Sequence, residues 1–444
     1  VTSAPAPEFA RVEAALAARQ PSRMVPDLDR ITDLLDLMGA PQRAYPSIHI
    51  TGTNGKTTTA RLIDALLRAF GLRPGRYTSP HLESPTERIC LDGAPMTAEQ
   101  FTRTYDEVAP FLTMVDRRHP EPVTYFEVLT AMAFAAFADA PVDVAVLEVG
   151  LGGTWDATNV VAASVAVVTP IALDHTALLG DSVAAIATEK AGIVHPGATM
   201  VMGQQPPAAA EVLLRRAGEV GATVAREGLE FGVLARSVAV GGQLVTFQGL
   251  GGAYPEVFLP LHGAHMASNA AGALAAVEAF LGGGRGDLAD EAVRAGMAAV
   301  VSPGRLETVR TSPTVVLDAA HNPAGAAALV ATLVEAFAFD RLVGVVGMLA
   351  DKDIAGVLAA LEPVLHTVVV TAVDSPRGLP ADDLAARAVE IFDADRVVVE
   401  SRLDDALDVA VGIAEDDAAL GAAGVLVTGS VVAVGAARSL LRRR

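Results

Sequence analysis

The segment Thr51-Gly52-Thr53-Asn54-Gly55-Lys56-Thr57 has the make-up of a phosphate-binding turn. Its glycines let backbone amides approach an anion, Lys56 can reach outer phosphate oxygens, and Thr57 offers a hydroxyl beside a metal. Two residues separate the glycines, Thr53 and Asn54, whereas a full Walker loop has four. The turn alone therefore implies phosphate binding, against the plainer reading of a tight turn. Thr53, Asn54, Gly55, Lys56, Thr57 and Thr58 are the candidate contacts.

Other candidates follow apolar runs. Ser79, Glu148 and His175 each lie just past a stretch that reads as a strand. Ligands of open parallel sheets collect outside the carboxyl ends of the strands. Oxygen and imidazole groups converging there suit Mg²⁺ held beside the phosphates of ATP. Singly, Glu148 serves equally well as a helix cap or ion-pair partner, and His175 as a surface histidine; together they favour a metal.

The elements that must position these groups alternate. Ser47 to Ile50 leads to the glycine loop, and a helix from Thr58 to Phe70 stops at Gly71. Strands are expected at Gly75 to Thr78, Val142 to Leu147 and Val165 to Val168. Strands alternating with helices imply a parallel sheet with right-handed crossovers. Residues 1–46 read as helical with breaks, with Leu28, Ile31, Leu34, Leu35 and Met38 on one face. The stretch 222–260, with its short apolar pieces and glycines, reads as a small antiparallel appendage. After a glycine-rich patch at 282–286 and a helix at 287–299, a linker is expected near 300–304. Alternation resumes at Thr314 and makes a second α/β domain over 305–444.

Composition agrees. A chain of 444 residues exceeds one ordinary core. Its 51% hydrophobic content with only 5% aromatics suits interleaved strands and helices. One cysteine, Cys90, cannot form an internal disulfide and points to a reducing compartment, the cytoplasm. Val1 to Phe9 lacks a signal-peptide pattern, and the apolar stretch Val128 to Ala138 is too short to span a bilayer. A net charge of −19 argues against nucleic acid as partner. It also requires that an anion such as ATP be held by local cations, backbone amides and divalent metal.

In order along the chain, Thr51–Thr57, Tyr77-Thr78-Ser79-Pro80-His81-Leu82, Glu148-Val149-Gly150-Leu151-Gly152-Gly153, Asp156-Ala157-Thr158-Asn159, Asp174-His175 and Glu189-Lys190-Ala191-Gly192-Ile193 resemble the folylpolyglutamate synthase/dihydrofolate synthase family of the Mur ligase superfamily. His262-Gly263, Asn269, Pro303-Gly304-Arg305, Asp318-Ala319-Ala320-His321-Asn322-Pro323 and Thr428-Gly429-Ser430 extend the resemblance over nearly the whole chain. It implies a P-loop-type doubly wound α/β domain over 1–299 and a Rossmann-like C-terminal domain. It implies two Mg²⁺ ions, one on Ser79 and Glu148, the second on Glu148, His175 and a carbamylated Lys190. An unmodified Lys190 would instead pair with Glu189 or with phosphate. Asn269, Arg305 and Asp318 would hold ATP, and His321 would approach its phosphates. Lys56, Lys190, His175 and His321 are the implied catalytic set. The pterin would meet Thr124, Tyr125, Phe126 and Glu127, then Trp155, Asp156 and Ala157, under a flap of Val25, Pro26, Asp27 and Leu28. Family members often carry Arg-Leu where this chain has Thr154-Trp155.

The activity so implied joins L-glutamate to dihydropteroate, to folates or to both, through an acyl phosphate, in an enzyme expected to be monomeric. Closure of two domains about 300–304 would exclude water. Asp351-Lys352 and Ser375-Pro376-Arg377 are candidates for the glutamate site, or solvated loops. A peptidoglycan Mur ligase would place a UDP-binding domain ahead of the loop, where this chain has 50 residues. A non-catalytic nucleotide sensor would have no need of Glu148, His175 and Lys190.

Overall fold

The computed structural model describes residues 7–20, 25–284, 286–417 and 421–442. Residues 1–6 and 21–24 of the expected helical stretch, and Arg285 of the glycine-rich patch, lie outside them. Two compact units emerge: Val1–Ser237 with Leu244–Pro260 and Met266–Val300, and Val301–Arg444 with Val238–Gln243 and Leu261–His265.

The first unit is built on an eight-stranded sheet. Its strands are β1 (Ser47–Thr51), β2 (Pro74–Tyr77), β3 (Ile89–Leu91), β4 (Ala94–Pro95), β5 (Val144–Glu148), β6 (Val165–Val168), β7 (Thr199–Met202) and β8 (Thr223–Arg226). They lie in the order β4-β3-β2-β5-β1-β6-β7-β8. All pairings from β2 to β8 are parallel; β3 and β4 add an antiparallel edge. Every residue of β1 and β5 is buried, as expected of strands covered on both faces.

Two boundaries move functional residues. Thr51 and Glu148 are the last residues of their strands rather than the first beyond them. Helix α3 (Lys56–Ala69) starts at Lys56, two residues earlier than its apolar pattern, because Gly55 at φ 90° turns the chain straight into it. The appendage reading needs correction at its start. Thr223–Arg226 pairs parallel with β7 and closes the main sheet, since Gly221 (φ 67°) ends helix Pro207–Val220 and completes another crossover. The appendage itself is the three-stranded sheet β11-β10-β9, from β9 (Gly232–Ala239), β10 (Gly242–Gln248) and β11 (Ala253–Leu259).

Helices α1 (Pro7–Ala17), α2 (Asp29–Leu37), α4 (Ala98–Asp116) and α5 (Tyr125–Asp139) bury Phe9, Leu34, Phe101, Phe134 and Phe137 in one cluster with Tyr77 and Leu147 of the sheet. A second cluster joins Ala166, Val168, Met200 and Met202 of the sheet with Ile186, Ile193 and Leu213. The second unit has strands β12 (Glu307–Thr311), β13 (Thr314–Leu317), β14 (Arg341–Val346), β15 (Thr367–Val370), β16 (Val397–Val399) and β17 (Ala423–Thr428) in the order β12-β13-β17-β14-β15-β16. All but the antiparallel β12 are parallel. The sequence reading passes over β12, a largely solvated edge with no apolar run. No helix among the described residues is long and apolar enough to cross a membrane.

Candidate active site

The glycine loop is shaped by a close approach. Gly52 has φ 140°, and a Cβ on it would fall 1.8 Å from Thr169 Oγ1 and 2.8 Å from the Thr169 carbonyl oxygen, at the end of β6. Thr53 anchors the next residue: its amide donates to Pro170 O (3.1 Å) and its hydroxyl to Ala172 O (3.0 Å). Asn54 sits between Thr53 and Gly55, and Asn269 closes from the other side, its Oδ1 2.5 Å from where a Gly55 Cβ would be. Lys56 Nζ donates to the carbonyls of Gly52 and Thr53, both at 3.1 Å. Thr58 is buried in the first turn of α3.

Beside the loop lies Glu148, 1% exposed. Thr57 Oγ1 donates to it at 2.8 Å, and the Ser79 amide donates to its Oε2 at 3.1 Å. Strands β1, β5 and β2 are neighbours, so three separate segments deliver Thr57, Glu148 and Ser79 to one point. Lys190, at the end of helix α7 (Val183–Ala191; α6 is Thr176–Leu179), is 4% exposed. Its Nζ donates to Gly52 O at 2.8 Å, the carbonyl that Lys56 also uses. Burial first, then the charge of Lys56, pushes its pKa down to about 7. Lys190 therefore meets the loop; the side-chain hydroxyl of Thr154 instead donates to the carbonyl of Glu189. His175 has φ 52°, and its amide donates to Asp174 Oδ1 at 2.8 Å.

No group of three or more His, Cys, Asp or Glu that could hold a metal occurs among the described residues. Mg²⁺ does not require one, because it is commonly held by one or two carboxylates with phosphate and water completing its shell. A buried carboxylate with a hydroxyl and Ser79 at hand is an oxygen-donor set that fits it.

The pterin candidates gather at the start of α5. Thr124 caps this helix, accepting from the Glu127 amide while the Glu127 carboxylate accepts from Thr124 N at 2.7 Å. Glu127 is also held by Arg30, whose Nε donates at 3.1 Å, and Arg30 in turn holds Asp27 of the flap at 3.2 Å. Val25 and Pro26 precede that pair, and Leu28 packs on the Phe101 cluster with Tyr125, Phe126 and Ala157. The Phe126 ring lies 5.9 Å from that of Tyr77, and a Cβ on Gly150 would meet it at 2.5 Å. Asp156, 4% exposed, accepts from Leu151 N at 2.8 Å, and burial raises its pKa. Trp155 stands apart: it packs with Leu151 on the Val168 cluster, away from Phe126.

In the second unit, Asp318 is buried and its pKa is raised by that burial. It accepts from Leu306 N (3.0 Å) and Ala320 N (2.9 Å), and Arg305 opposes the shift by charge. His321 Nδ1 lies 2.9 Å from Ala319 O. Arg377 binds both carboxylate oxygens of Asp351 at 2.9 Å, which brings the two glutamate-site segments together on the surface.

Sequence reasoning passed over Arg30, Thr169, His49 and Arg88, the last donating to His81 Nδ1 and lying over the Tyr125 ring. Arg30 left a readable signal, a cation on the apolar face of α2 beside Ile31 and Leu34. Thr169 left none, because its role exists only where β6 passes the loop.

Comparison with known proteins agrees with this geometry. Residues 50–277 match the Mur ligase middle domain, and 304–431 the Mur ligase glutamate ligase domain. A Mycobacterium tuberculosis dihydrofolate synthase/folylpolyglutamate synthase is 53% identical, over 98% of this chain and 94% of the relative. The solved structure of Mycobacterium tuberculosis folylpolyglutamate synthase complexed with ADP superposes with a TM-score of 0.95 at 54% identity, covering 98% of this chain and 99% of that one. An Escherichia coli relative solved in complex with DHPP and ADP gives a TM-score of 0.84 at 33% identity, with both chains covered completely (100%).

Proposed function

Because the chain belongs to the folylpolyglutamate synthase/dihydrofolate synthase family of Mur ligases, we propose that it joins L-glutamate to dihydropteroate, to folate polyglutamates or to both, at the expense of ATP. The observation that carries this reading is the meeting of Thr57, Glu148 and Ser79 beside a loop that also gathers Lys56 and Lys190. A substrate carboxylate attacks the γ-phosphate, forming a C–O–P link while the bond to ADP breaks. The glutamate amine then attacks the acyl carbon, phosphate leaves, and the amine gives up a proton.

Loop amides and Lys56 hold the phosphates and oppose the charge that moves onto the leaving oxygen. Glu148 with Ser79 would hold one Mg²⁺, and Glu148, His175 and Lys190 as its carbamate a second. Bound there, Mg²⁺ supplies charge neutralisation on the phosphates. A buried lysine with a depressed pKa supports the carbamate, since only a neutral amine can take up CO₂. Phe126 offers a flat face to a pterin, and Asp156 an acceptor for its donor edge. Glu127 is the poorer acceptor, already committed to Arg30 and Thr124.

Glutamate-dependent ADP release with dihydropteroate and with tetrahydrofolate tests the proposal. Release with either pterin is expected, and the pair of results separates the two activities. Release only with a UDP-muramoyl substrate, or nucleotide binding without turnover, would overturn it.

A further inference from the structure

A buried chain of side chains runs from the pterin carboxylate into the sheet. Thr158 Oγ1 lies 2.5 Å from Asp156 Oδ1 and 2.8 Å from His49 Nε2. His49 sits in the middle of β1 and is 0% exposed, as is Thr158. None of these contacts serves the phosphate loop, and His49 has no part in the chemistry above.

The direction of the hydrogen bonds can be deduced. One hydroxyl between two partners donates to one and accepts from the other, which leaves two arrangements. In the first, His49 Nε2–H donates to Thr158 and Thr158 donates to Asp156. In the second, a protonated Asp156 donates to Thr158, Thr158 donates to His49 Nε2, and the neutral ring must carry its hydrogen on Nδ1. His49 Nδ1 is buried with no hydrogen-bond partner among the described residues. A bare lone pair there is tolerable, whereas an orphaned buried N–H is rare and costly. A doubly protonated ring is disfavoured too, because burial and then the charge of His195 push the His49 pKa down to about 3. The first arrangement therefore holds.

Its consequence falls on Asp156. Oδ1 accepts from Thr158 N (3.0 Å) and Thr158 Oγ1, and Oδ2 from Leu151 N (2.8 Å). Of roughly four acceptor positions on a carboxylate, about one remains, on Oδ2. The Leu151 amide adjoins Gly150, the residue against which the Phe126 ring is packed. We propose that His49 and Thr158 are positioning residues, a one-way donor relay that holds Asp156 as an acceptor and aims its last lone pair at a donor-bearing edge of the substrate's ring. The relay selects a ring edge carrying N–H groups and disfavours one presenting only carbonyls.

This inference rests on the folate reading, and the experiment separates the two. Steady-state kinetics with dihydropteroate, ATP and glutamate are compared for wild type, Thr158→Val, Thr158→Ser, His49→Leu and His49→Gln. Valine keeps the β-branched shape without the hydroxyl; serine restores it; glutamine keeps an N–H donor. Thr158→Val is expected to raise the KM for the pterin about tenfold, the scale of one lost hydrogen bond to a charged group. The KM for ATP should stay within about twofold, with Ser and Gln variants close to wild type and His49→Leu in between. A merely structural role would lower the Tm without this split between substrates. Should Thr158→Val fail to fold, His49→Leu against His49→Gln carries the test, read by pterin titration of Trp155, the one tryptophan in the chain. An active wild type whose Thr158→Val or His49→Leu variant keeps its pterin KM, or loses ATP and pterin affinity together, overturns the relay. A wild type inactive with every pterin overturns the folate reading instead.

Discussion

Gly52→Ala is the sharpest probe of the phosphate loop. At φ 140° the backbone occupies a region that essentially only glycine adopts, costing another residue about 1–3 kcal/mol. The added methyl would also sit 2.8 Å from the Thr169 carbonyl oxygen, some tenths of an ångström inside contact. The 1.8 Å overlap with Thr169 Oγ1 can be eased by rotating that side chain, at the loss of its bond to Thr51 O (3.2 Å). The carbonyl belongs to the strand and cannot rotate away. Overpacking of this kind costs about 1–3 kcal/mol, so the sum is about 2–6 kcal/mol if the loop stays in place. Lifting the loop instead would break the Thr53 bonds to Pro170 and Ala172 and move the Gly52 carbonyl that both Lys56 and Lys190 use. Either way nucleotide binding suffers, by about tenfold for each 1.4 kcal/mol. Gly71→Ala is the control: Gly71 also has positive φ (79°) but nothing lies within 4 Å of its Cβ position. Calorimetric titration with ADP and thermal unfolding of both variants are the assays. Gly52→Ala should lose both stability and ADP affinity, and Gly71→Ala only about 1 kcal/mol of stability. If the two variants bind ADP equally well, the close approach to β6 does not shape the site.

Four further outcomes follow from the same geometry. Glu148→Gln removes the charge between Thr57 and Ser79 while keeping the shape; ADP release should fall about 100-fold or more with folding retained, and turnover within tenfold of wild type would exclude a metal role for this residue. Lys190→Ala should be inactive and partly restored by acetate, which can occupy the place of a carbamate; full activity without acetate would remove Lys190 from the mechanism. Arg30→Met leaves Glu127 buried without its cation and should cost about 3–5 kcal/mol in urea denaturation, with Arg30→Met/Glu127→Met recovering much of it. For Asp318, burial raises the folded pKa above 3.8, so within that window the folded chain binds more protons than the unfolded one and stability falls as pH rises. The stability advantage of wild type over Asp318→Asn should thus be largest near the bottom of the window and shrink by about 1.4 kcal/mol per pH unit through it; an advantage that grows with pH refutes the assignment.

What could be read from the chain beforehand was local or buried on both sides. Strands such as Val165–Val168 and Val425–Val427 show as apolar runs because parallel strands have no polar face. The glycine loop and Asp156-Ala157-Thr158 are contiguous, and their chemistry is visible in adjacent letters. Strand β12 and the parallel placement of β8 were not legible, since each depends on which edge of a sheet the chain meets. The same holds for side-chain pairs: Arg30 reaches Glu127 across 97 residues and His49 reaches Thr158 across 109. Net charge gives a further instance. A total of −19 suggests a surface hostile to ATP, yet Lys56 and Lys190 converge on a single carbonyl, and their mutual repulsion contributes to the depressed pKa of Lys190. Two ammonium groups so placed are unfavourable to folding and favourable to a polyanion that comes between them. Composition reports the average field; the ligand meets this local one, which only the crossing of β1 with the end of α7 creates.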